Sequence, residues 1–158
     1  MDVTKELINK FYTAFANNDC EKMIDCYHDD IQFEDPAFGV LKGDRAKSMW
    51  KMLVSRLDEN ASIHFSDIET NGPEGSANWI AKYNYGPKNR PVINFIHAQF
   101  IIEDGKIIDH RDYFDSWKWS RQALGLPGLL LGWSGFMNRK IQQTTNEMLD
   151  QYIAKNEV

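Results

Sequence analysis

The sequence of 158 residues lacks any run of the roughly 20 apolar residues that a membrane-spanning helix needs. Its most apolar stretch, residues 124–133, is interrupted by one proline and three glycines. The first residues are charged and lead directly into an amphipathic pattern, which is not typical of a secretory signal. We therefore expect neither a membrane partner nor secretion.

Cysteine and positive charge are also scarce. Cys20 and Cys26 are the two cysteines, and they fall on different sides of one predicted helix, so a local disulfide is not expected. This usage favours a reducing, cytoplasmic location. Lys and Arg number 18 against 23 Asp and Glu, a net charge of −5, with no basic stripe to contact phosphates. Nucleic acid is therefore not an expected partner.

Common signatures of metal and cofactor chemistry are missing as well. The four histidines do not show the spacing of a helical metal pair. A glycine-rich phosphate loop, a nucleophile elbow and a Cys/His pair are also absent. We expect no metal and no cofactor.

What the sequence does contain is 42% hydrophobic and 13% aromatic residues, enough for the core of one domain. Apolar spacings of three and four predict helices over about 3–17, 20–27 and 45–57, the last two capped by Asp19 and Asp44. Alternating patterns predict strands over 31–34, 61–68, 79–85, 92–103 and 107–116, with a loop from Pro36 to Gly43. Helices followed by an antiparallel meander of four strands indicate the α+β class.

The C-terminal part departs from this pattern. Residues 117–124 are predicted to form a helical turn and residues 134–155 a final helix. The apolar segment 124–137 is interpreted either as a lid over the domain or as a contact with a second subunit. We divide the chain into a cone domain, 1–120, and a C-terminal segment and helix, 121–158, which packs on the same domain or on a dimer partner.

The predicted architecture is a cone-shaped roll, in which a curved antiparallel sheet and three N-terminal helices enclose a pocket. Concave, mostly apolar spaces with a few polar groups are the usual binding sites for small molecules. A small apolar organic molecule is therefore the expected ligand.

Two sets of motifs carry a resemblance to a known superfamily. Residues 15–19 (FANND) followed by 31–36 (IQFEDP) resemble the start of a ketosteroid isomerase. Residues 104–108 (DGKII) with 111–115 (RDYFD) resemble limonene-epoxide hydrolase. Both enzymes belong to the nuclear-transport-factor-2-like superfamily, which includes SnoaL-like polyketide cyclases. The resemblance covers about residues 5–120, and it implies a homodimer, because curved sheets of this superfamily often pair face to face.

The resemblance implies roles for two aspartates. Asp35 matches the proton-abstracting aspartate of the isomerase; the alternative is a strand-end residue that caps the turn before Pro36. Asp112 matches an aspartate that activates water in the epoxide hydrolase; the alternative is a structural pair with a neighbouring Lys or Arg. Period two places His110, Asp112 and Phe114 on one face of the last strand.

The remaining candidates complete the predicted site. The isomerase's oxyanion-hole positions fall on Phe11, beside Tyr12, and on His97 or Ala98, and a neutral His97 could polarise a carbonyl. The epoxide hydrolase's Arg and Asp pair has its nearest match in residues 82–84, which supply Lys and Asn instead. The catalytic candidates are Asp35, Asp112, His97 and His110, and the pocket candidates are Tyr12, Phe33, Trp50, Asn84, Ile96 and Phe114.

With these residues, the resemblance implies a cofactor-independent isomerase or cyclase that abstracts a proton from an apolar carbonyl compound. An epoxide hydrolase-like enzyme and a non-catalytic module that binds a hydrophobic ligand are the alternatives.

Overall fold

A computed structural model describes residues 2–125 and 135–156 of the chain. Within these two ranges, five helices and six strands follow one another in the order α1 (Val3–Ala16), α2 (Cys20–Asp25), β1 (Tyr27–Asp35), β2 (Gly39–Lys42), α3 (Asp44–Ser55), β3 (Ser62–Asn71), β4 (Glu74–Tyr85), β5 (Arg90–Glu103), β6 (Lys106–Tyr113), α4 (Ser116–Leu124) and α5 (Gly135–Asn156).

The six strands form one curved sheet in the order β2-β1-β6-β5-β4-β3. The meander β3 to β6 is antiparallel throughout, whereas β1 pairs with β6 in parallel. This arrangement confirms the predicted α+β class and the cone-shaped roll. No helix in the described part of the chain has both the length and the apolar character that a membrane span requires.

Three local expectations were wrong. The predicted loop after Pro36 contains β2, a four-residue strand too short to show alternation. The strand β1 begins at Tyr27 rather than Ile31, because its register with β6 shifts between Tyr27 and Gln32 and breaks the period there. Gly43, with a φ of 56°, occupies the N-cap position of α3. Asp44, the predicted cap, is instead the first residue of the helix, and no side chain caps this helix end.

Helix α1 crosses the sheet so closely that strand β4 needs a glycine. A Cβ atom on Gly75 would lie 2.4 Å from Cδ1 of Ile8, a fully buried residue of α1. The N-terminus of α1 is held at the same place, because Thr4 Oγ1 donates a hydrogen bond of 2.7 Å to the carbonyl of Gly72. The β3–β4 turn is thereby fixed against the helix.

The core lies between the inner face of the sheet and helices α1 and α3. Burial alternates along β5: every second residue from Val92 to Phe100 faces inward, and the residues between them face solvent. Aromatic rings fill the inner space: Phe11 packs against the rings of Tyr27 at 5.5 Å and Trp50 at 5.8 Å. Burying one such side chain contributes about 1.5–3 kcal/mol.

The two C-terminal helices pack on the same chain. Helix α4 covers the edge of β5 beyond the end of β6, where the side-chain amide of Gln122 accepts from Ile93 N at 2.9 Å and donates to Ile93 O at 3.1 Å. Helix α5 lies against α3 and is joined to it by the ion pair of Arg45 with Asp150 at 2.6 Å. The alternatives predicted for residues 124–137, a lid or a dimer contact, fall mostly on residues 126–134, outside the described residues.

Candidate active site

Strand β6 places His110 and Asp112 side by side on the inner face of the sheet. Both are buried, and His110 Nε2 lies 2.9 Å from Asp112 Oδ1. The indole of Trp79 reaches the same carboxylate oxygen at 3.5 Å. Period two along the strand therefore delivers the pair that the sequence predicted, and a histidine and an indole, rather than a Lys or Arg, surround the acid.

A chain of hydrogen bonds continues from His110 away from the acid. The hydroxyl of Tyr27 lies 2.7 Å from His110 Nδ1, and Trp50 Nε1 lies 2.8 Å from that hydroxyl. An indole N–H can only donate, so the Tyr27 oxygen accepts from Trp50 and its own proton points to Nδ1. His110 then carries its proton on Nε2 and donates it to Asp112.

Aromatic rings enclose His110 from several sides. Its ring lies 4.4 Å from that of Phe100 and 5.1 Å from that of Phe33, and it stacks on Trp50 at 6.1 Å. This packing leaves the imidazole fully buried. Within the described residues, the two ring nitrogens of His110 are thus taken up by Asp112 and Tyr27, and its ring faces are covered by aromatic side chains.

Tyr12 brings a polar group into the same interior without a partner. Its hydroxyl is buried and makes no hydrogen bond with any described residue. Burial, and secondarily the charge of Asp112, raise the pKa of Tyr12 well above its ordinary value, so the hydroxyl keeps its proton. A buried donor without an acceptor costs stability, which is a common feature of binding and catalytic sites.

Asp35 lies at the end of β1 and is partly buried. Its Oδ1 accepts a hydrogen bond of 2.7 Å from Phe38 N, so the carboxylate caps the turn that follows it. Burial, and then the charge of Asp112, raise the pKa of Asp35 to about 7, although the bond from Phe38 N opposes the increase. Asp35 therefore caps the turn that follows it, and it is also an acid whose pKa is shifted toward neutrality.

Two predicted site residues are not brought to this group. His97 lies on the solvent face of β5, with Nδ1 2.8 Å from Asn78 Oδ1, because the inward positions beside it are taken by Ile96 and Ala98. Asn84 is likewise exposed on β4, between Tyr83 and Tyr85. The sequence left the face of His97 open, and the structure places both His97 and Asn84 on the exposed side of their strands.

The other pocket candidates do face the interior, but they fill it. Tyr12, Phe33, Trp50 and Ile96 are buried in the core, and Phe114 is partly buried at its margin. A cavity of about 660 Å³ instead lies on the outer face of the sheet, where His97, Gln99 and Arg111 contribute to its wall.

A third cluster has the composition of a metal site. The ligand atoms of His28, Glu103 and Asp104 lie within 4.8 Å of one another. However, His28 Nδ1 accepts a hydrogen bond of 3.0 Å from Asp30 N, so the neutral ring carries its proton on Nε2, the atom that faces Asp104. The lone pair that a metal needs is not offered there.

Sequence reasoning missed two members of the network, Tyr27 and Trp79. Tyr27 was assigned to the end of a helix, but it begins β1 and reaches His110. Trp79 is the first residue of the strand predicted over 79–85. The available signal was the alternation of side chains along the strand, which puts Trp79 on the inward face just as alternation along β6 puts Asp112 there.

The family model described as the SnoaL-like domain matches residues 8–110. The chain belongs to this family. The SnoaL-like domain therefore contains Tyr12, Asp35 and His110, whereas Asp112 and helices α4 and α5 follow the matched region. No curated protein sequence matches the chain.

Solved structures extend the likeness of this SnoaL-like domain to the wider superfamily. An LEH-like epoxide hydrolase from M. tuberculosis is 23% identical, with a TM-score of 0.61, covering 82% of this chain and 96% of that one. A protein with a ketosteroid isomerase-like fold from Catenulispora acidiphila, in complex with trimethylamine, is 17% identical, with a TM-score of 0.65 and coverage of 78% and 95%. TerC, co-crystallised with polyporic acid, is 15% identical, with a TM-score of 0.66 and coverage of 77% and 98%. These likenesses confirm the nuclear-transport-factor-2-like fold.

Proposed function

We propose that this SnoaL-like domain is a cofactor-independent isomerase or cyclase in which Asp35 abstracts a proton from the carbon next to the carbonyl of a small apolar substrate. The observation that carries the proposal is the pKa of about 7 for Asp35, beside a buried core that holds a second carboxyl. A general base is most effective when its pKa is close to the working pH.

The other polar groups have separate roles in this reaction. The proton passes from the substrate carbon to an Asp35 oxygen, and the electron pair left behind moves onto the carbonyl oxygen. The unpartnered hydroxyl of Tyr12 is a donor for that developing oxyanion, which would satisfy it. Asp112, held by His110 and Trp79, raises the pKa of Asp35 through its charge. In an isomerase, Asp35 then returns the proton to another carbon.

The substrate is proposed to enter at the margin of the core. Tyr83 and Phe114 are partly buried there and pack both against the core and against a smaller apolar cluster formed by Val92, Trp119 and Ala123. The charge of Asp35 contributes to raising the pKa of Tyr83, which places the two side chains within electrostatic reach. TerC with polyporic acid and the Catenulispora protein with trimethylamine are relatives of this fold that hold small organic molecules, which supports a ligand of that kind.

Epoxide hydrolysis is a second candidate. It is favoured by the buried Asp112, which His110 and Trp79 hold in a fixed orientation, as activation of a water molecule requires. A non-catalytic module for a hydrophobic ligand is a third candidate, favoured by the ring side chains that occupy the interior. The measurement below distinguishes among the three.

A homodimer working in the cytoplasm is also proposed. The outer face of the sheet exposes large apolar side chains on neighbouring strands, among them Phe95, Ile101 and Tyr113. Sedimentation of Ile101→Asp against the wild type tests this. A wild type that is a dimer and a variant that is a monomer support this face as the interface. A variant that dimerises as well as the wild type contradicts it. The unpaired cysteines Cys20 and Cys26 are compatible with a reducing compartment.

The activity is tested by proton exchange in D₂O. Wild type, Asp35→Asn and Asp112→Asn are incubated with a panel of cyclic and aromatic ketones, and with epoxides, and followed by NMR. We expect deuterium to enter next to the carbonyl with the wild type, and the rate to fall about 10²–10⁴-fold in Asp35→Asn. Asp30→Asn, an exposed change on the same strand, is the matched control.

The other outcomes identify the alternatives. Diol formation from epoxides that depends on Asp112 but not on Asp35 favours the hydrolase. Ligand binding without turnover in any variant favours the binding module. Equal exchange rates for wild type and Asp35→Asn overturn the proposal.

A further inference from the structure

Helix α5 contacts the turn that follows Asp35. Three of its polar side chains donate hydrogen bonds to three successive backbone carbonyls of residues 36–38. The bonds are Gln142 Nε2 to Pro36 O at 3.2 Å, Thr145 Oγ1 to Ala37 O at 2.7 Å and Asn146 Nδ2 to Phe38 O at 2.9 Å. This helix lies wholly beyond the region that matches the SnoaL-like family, which ends at residue 110.

One peptide group connects the helix to the acid. The carbonyl of Ala37 accepts from Thr145, and the N–H of the same peptide, on Phe38, donates to Asp35 Oδ1 at 2.7 Å. A hydrogen bond to a carbonyl polarises its peptide and strengthens the bond that the N–H makes on the other side. Thr145 therefore acts on Asp35 through a single peptide plane.

The helix is itself held in register by α3. Arg45 Nη2 donates to Asn146 Oδ1 at 2.8 Å, and Nη1 of the same guanidinium pairs with Asp150 at 2.6 Å. Because the oxygen of Asn146 faces Arg45, its NH₂ group faces Phe38 O. The orientation of this amide is thus determined by a residue on another element.

We infer that α5 is a positioning element for the Asp35 carboxyl, with Thr145 as the residue that fixes the donating peptide. The helix touches neither Asp35 nor the interior network directly through these bonds; it acts through residues 36–38. An effect of α5 on catalysis rests on the proposed role of Asp35 as a base. The positioning of the Asp35 carboxyl by α5 does not depend on that role.

The test is a measurement of the titration of Asp35 in the full chain without substrate, by NMR of ¹³C-labelled aspartate carboxyls. The charged and titratable groups that act on or respond to Asp35 are Glu34, Asp112, Tyr27 and Tyr83. None of them is altered by the variants used. Asp35→Asn in the labelled protein assigns the resonance.

Thr145→Val keeps the shape of the side chain and removes the hydroxyl. The weakened donation from Phe38 N stabilises the carboxylate less, so we expect the pKa of Asp35 to rise by about 0.5. Thr144→Val, at the exposed neighbouring position, is the matched control and leaves the titration unchanged. Asn146→Ala, with Gln143→Ala as its control, is expected to act in the same direction.

An unchanged or lowered pKa of Asp35 in folded Thr145→Val overturns the inference. Circular dichroism establishes that each variant is folded, and Thr145→Val decides if Asn146→Ala does not fold. The two proposals also fail separately. If Thr145→Val raises the pKa of Asp35 but the protein exchanges no substrate proton, α5 is supported as a positioning element and the role of Asp35 as a base is contradicted. If the wild type exchanges the substrate proton but Thr145→Val leaves the titration of Asp35 unchanged, the base is supported and the positioning element is contradicted.

Discussion

His110 Nε2 lies 2.9 Å from Asp112 Oδ1, and neither side chain has significant contact with solvent. The two residues share one face of β6, so the strand itself sets their separation. A buried carboxylate is tolerated only when donors surround it, and here the imidazole is the closer of the two donors.

Replacing His110 by Phe is expected to destabilise the fold. The ring stays aromatic, but Asp112 loses its closest donor and Tyr27 loses its acceptor. Leaving a buried charged group underbonded costs about 2–4 kcal/mol in the free energy of unfolding, measured by urea denaturation. His64→Phe, at an exposed position on β3, should change it by less than about 0.5 kcal/mol. Equal effects of the two changes would show that the pair contributes nothing.

Asp35→Asn is expected to change how stability depends on pH. The pKa of Asp35 is about 7 in the folded protein and near 3.8 when unfolded. Between these values the folded state binds the extra proton, so this residue makes wild-type stability fall as pH rises from about 4 to 7, by up to about 1.4 kcal/mol per pH unit. The amide of Asn does not titrate and still accepts from Phe38 N. The difference in the free energy of unfolding between Asp35→Asn and the wild type, measured by urea denaturation at a series of pH values, should therefore grow as pH rises through this window. A difference that does not vary with pH would contradict the shifted pKa.

Tyr12→Phe and Tyr27→Phe are expected to have opposite effects on stability. The hydroxyl of Tyr12 is buried without a partner, so its removal leaves the free energy of unfolding unchanged or raises it by about 1 kcal/mol. The hydroxyl of Tyr27 bonds to both Trp50 and His110, and its removal should cost about 1–3 kcal/mol. Thermal and urea unfolding of the two variants provide the comparison. If Tyr12→Phe is the more damaging change, its hydroxyl has a partner in solution.

Gly75→Ala is expected to conflict with helix α1. The added Cβ would approach Cδ1 of Ile8 to 2.4 Å, and Ile8 is fully buried and has little room to move. Overpacking of this kind costs about 1–3 kcal/mol. In an Ile8→Val background the clashing methyl is gone, so the same glycine change should cost less. A double-mutant cycle measures the coupling, and additive effects would contradict the close approach.

The order and type of the main elements could be predicted from apolar periodicity alone. The inward parity of β6 also identified His110 and Asp112, because a strand has only two faces. For β5 the same periodicity left two choices, since apolar residues occupy both sets, and His97 falls on the outer one. Periodicity states which residues share a face, but the packing of the whole sheet decides which face is inside.

The shape of the interior could not be read from sequence either. Tyr12, Phe33 and Trp50 point inward, yet whether such rings line a space or fill it depends on their rotamers and on the distance between α1 and the sheet. The polar contacts of α5 were equally hidden. Thr145 and Asn146 look like ordinary surface residues of a helix until residues 36–38 are placed beside them.

The parallel pairing of β1 with β6 joins the first and the last strand in the described part of the chain. Between them, β2 to β5 and helix α3 must be synthesised and arranged before β1 can gain this neighbour. Closing such a long loop is slow, so the register of β1 is established late in folding. Asp35 and Asp112 consequently approach one another only after β6 has been synthesised, and until β1 pairs with β6 the two acids do not repel each other.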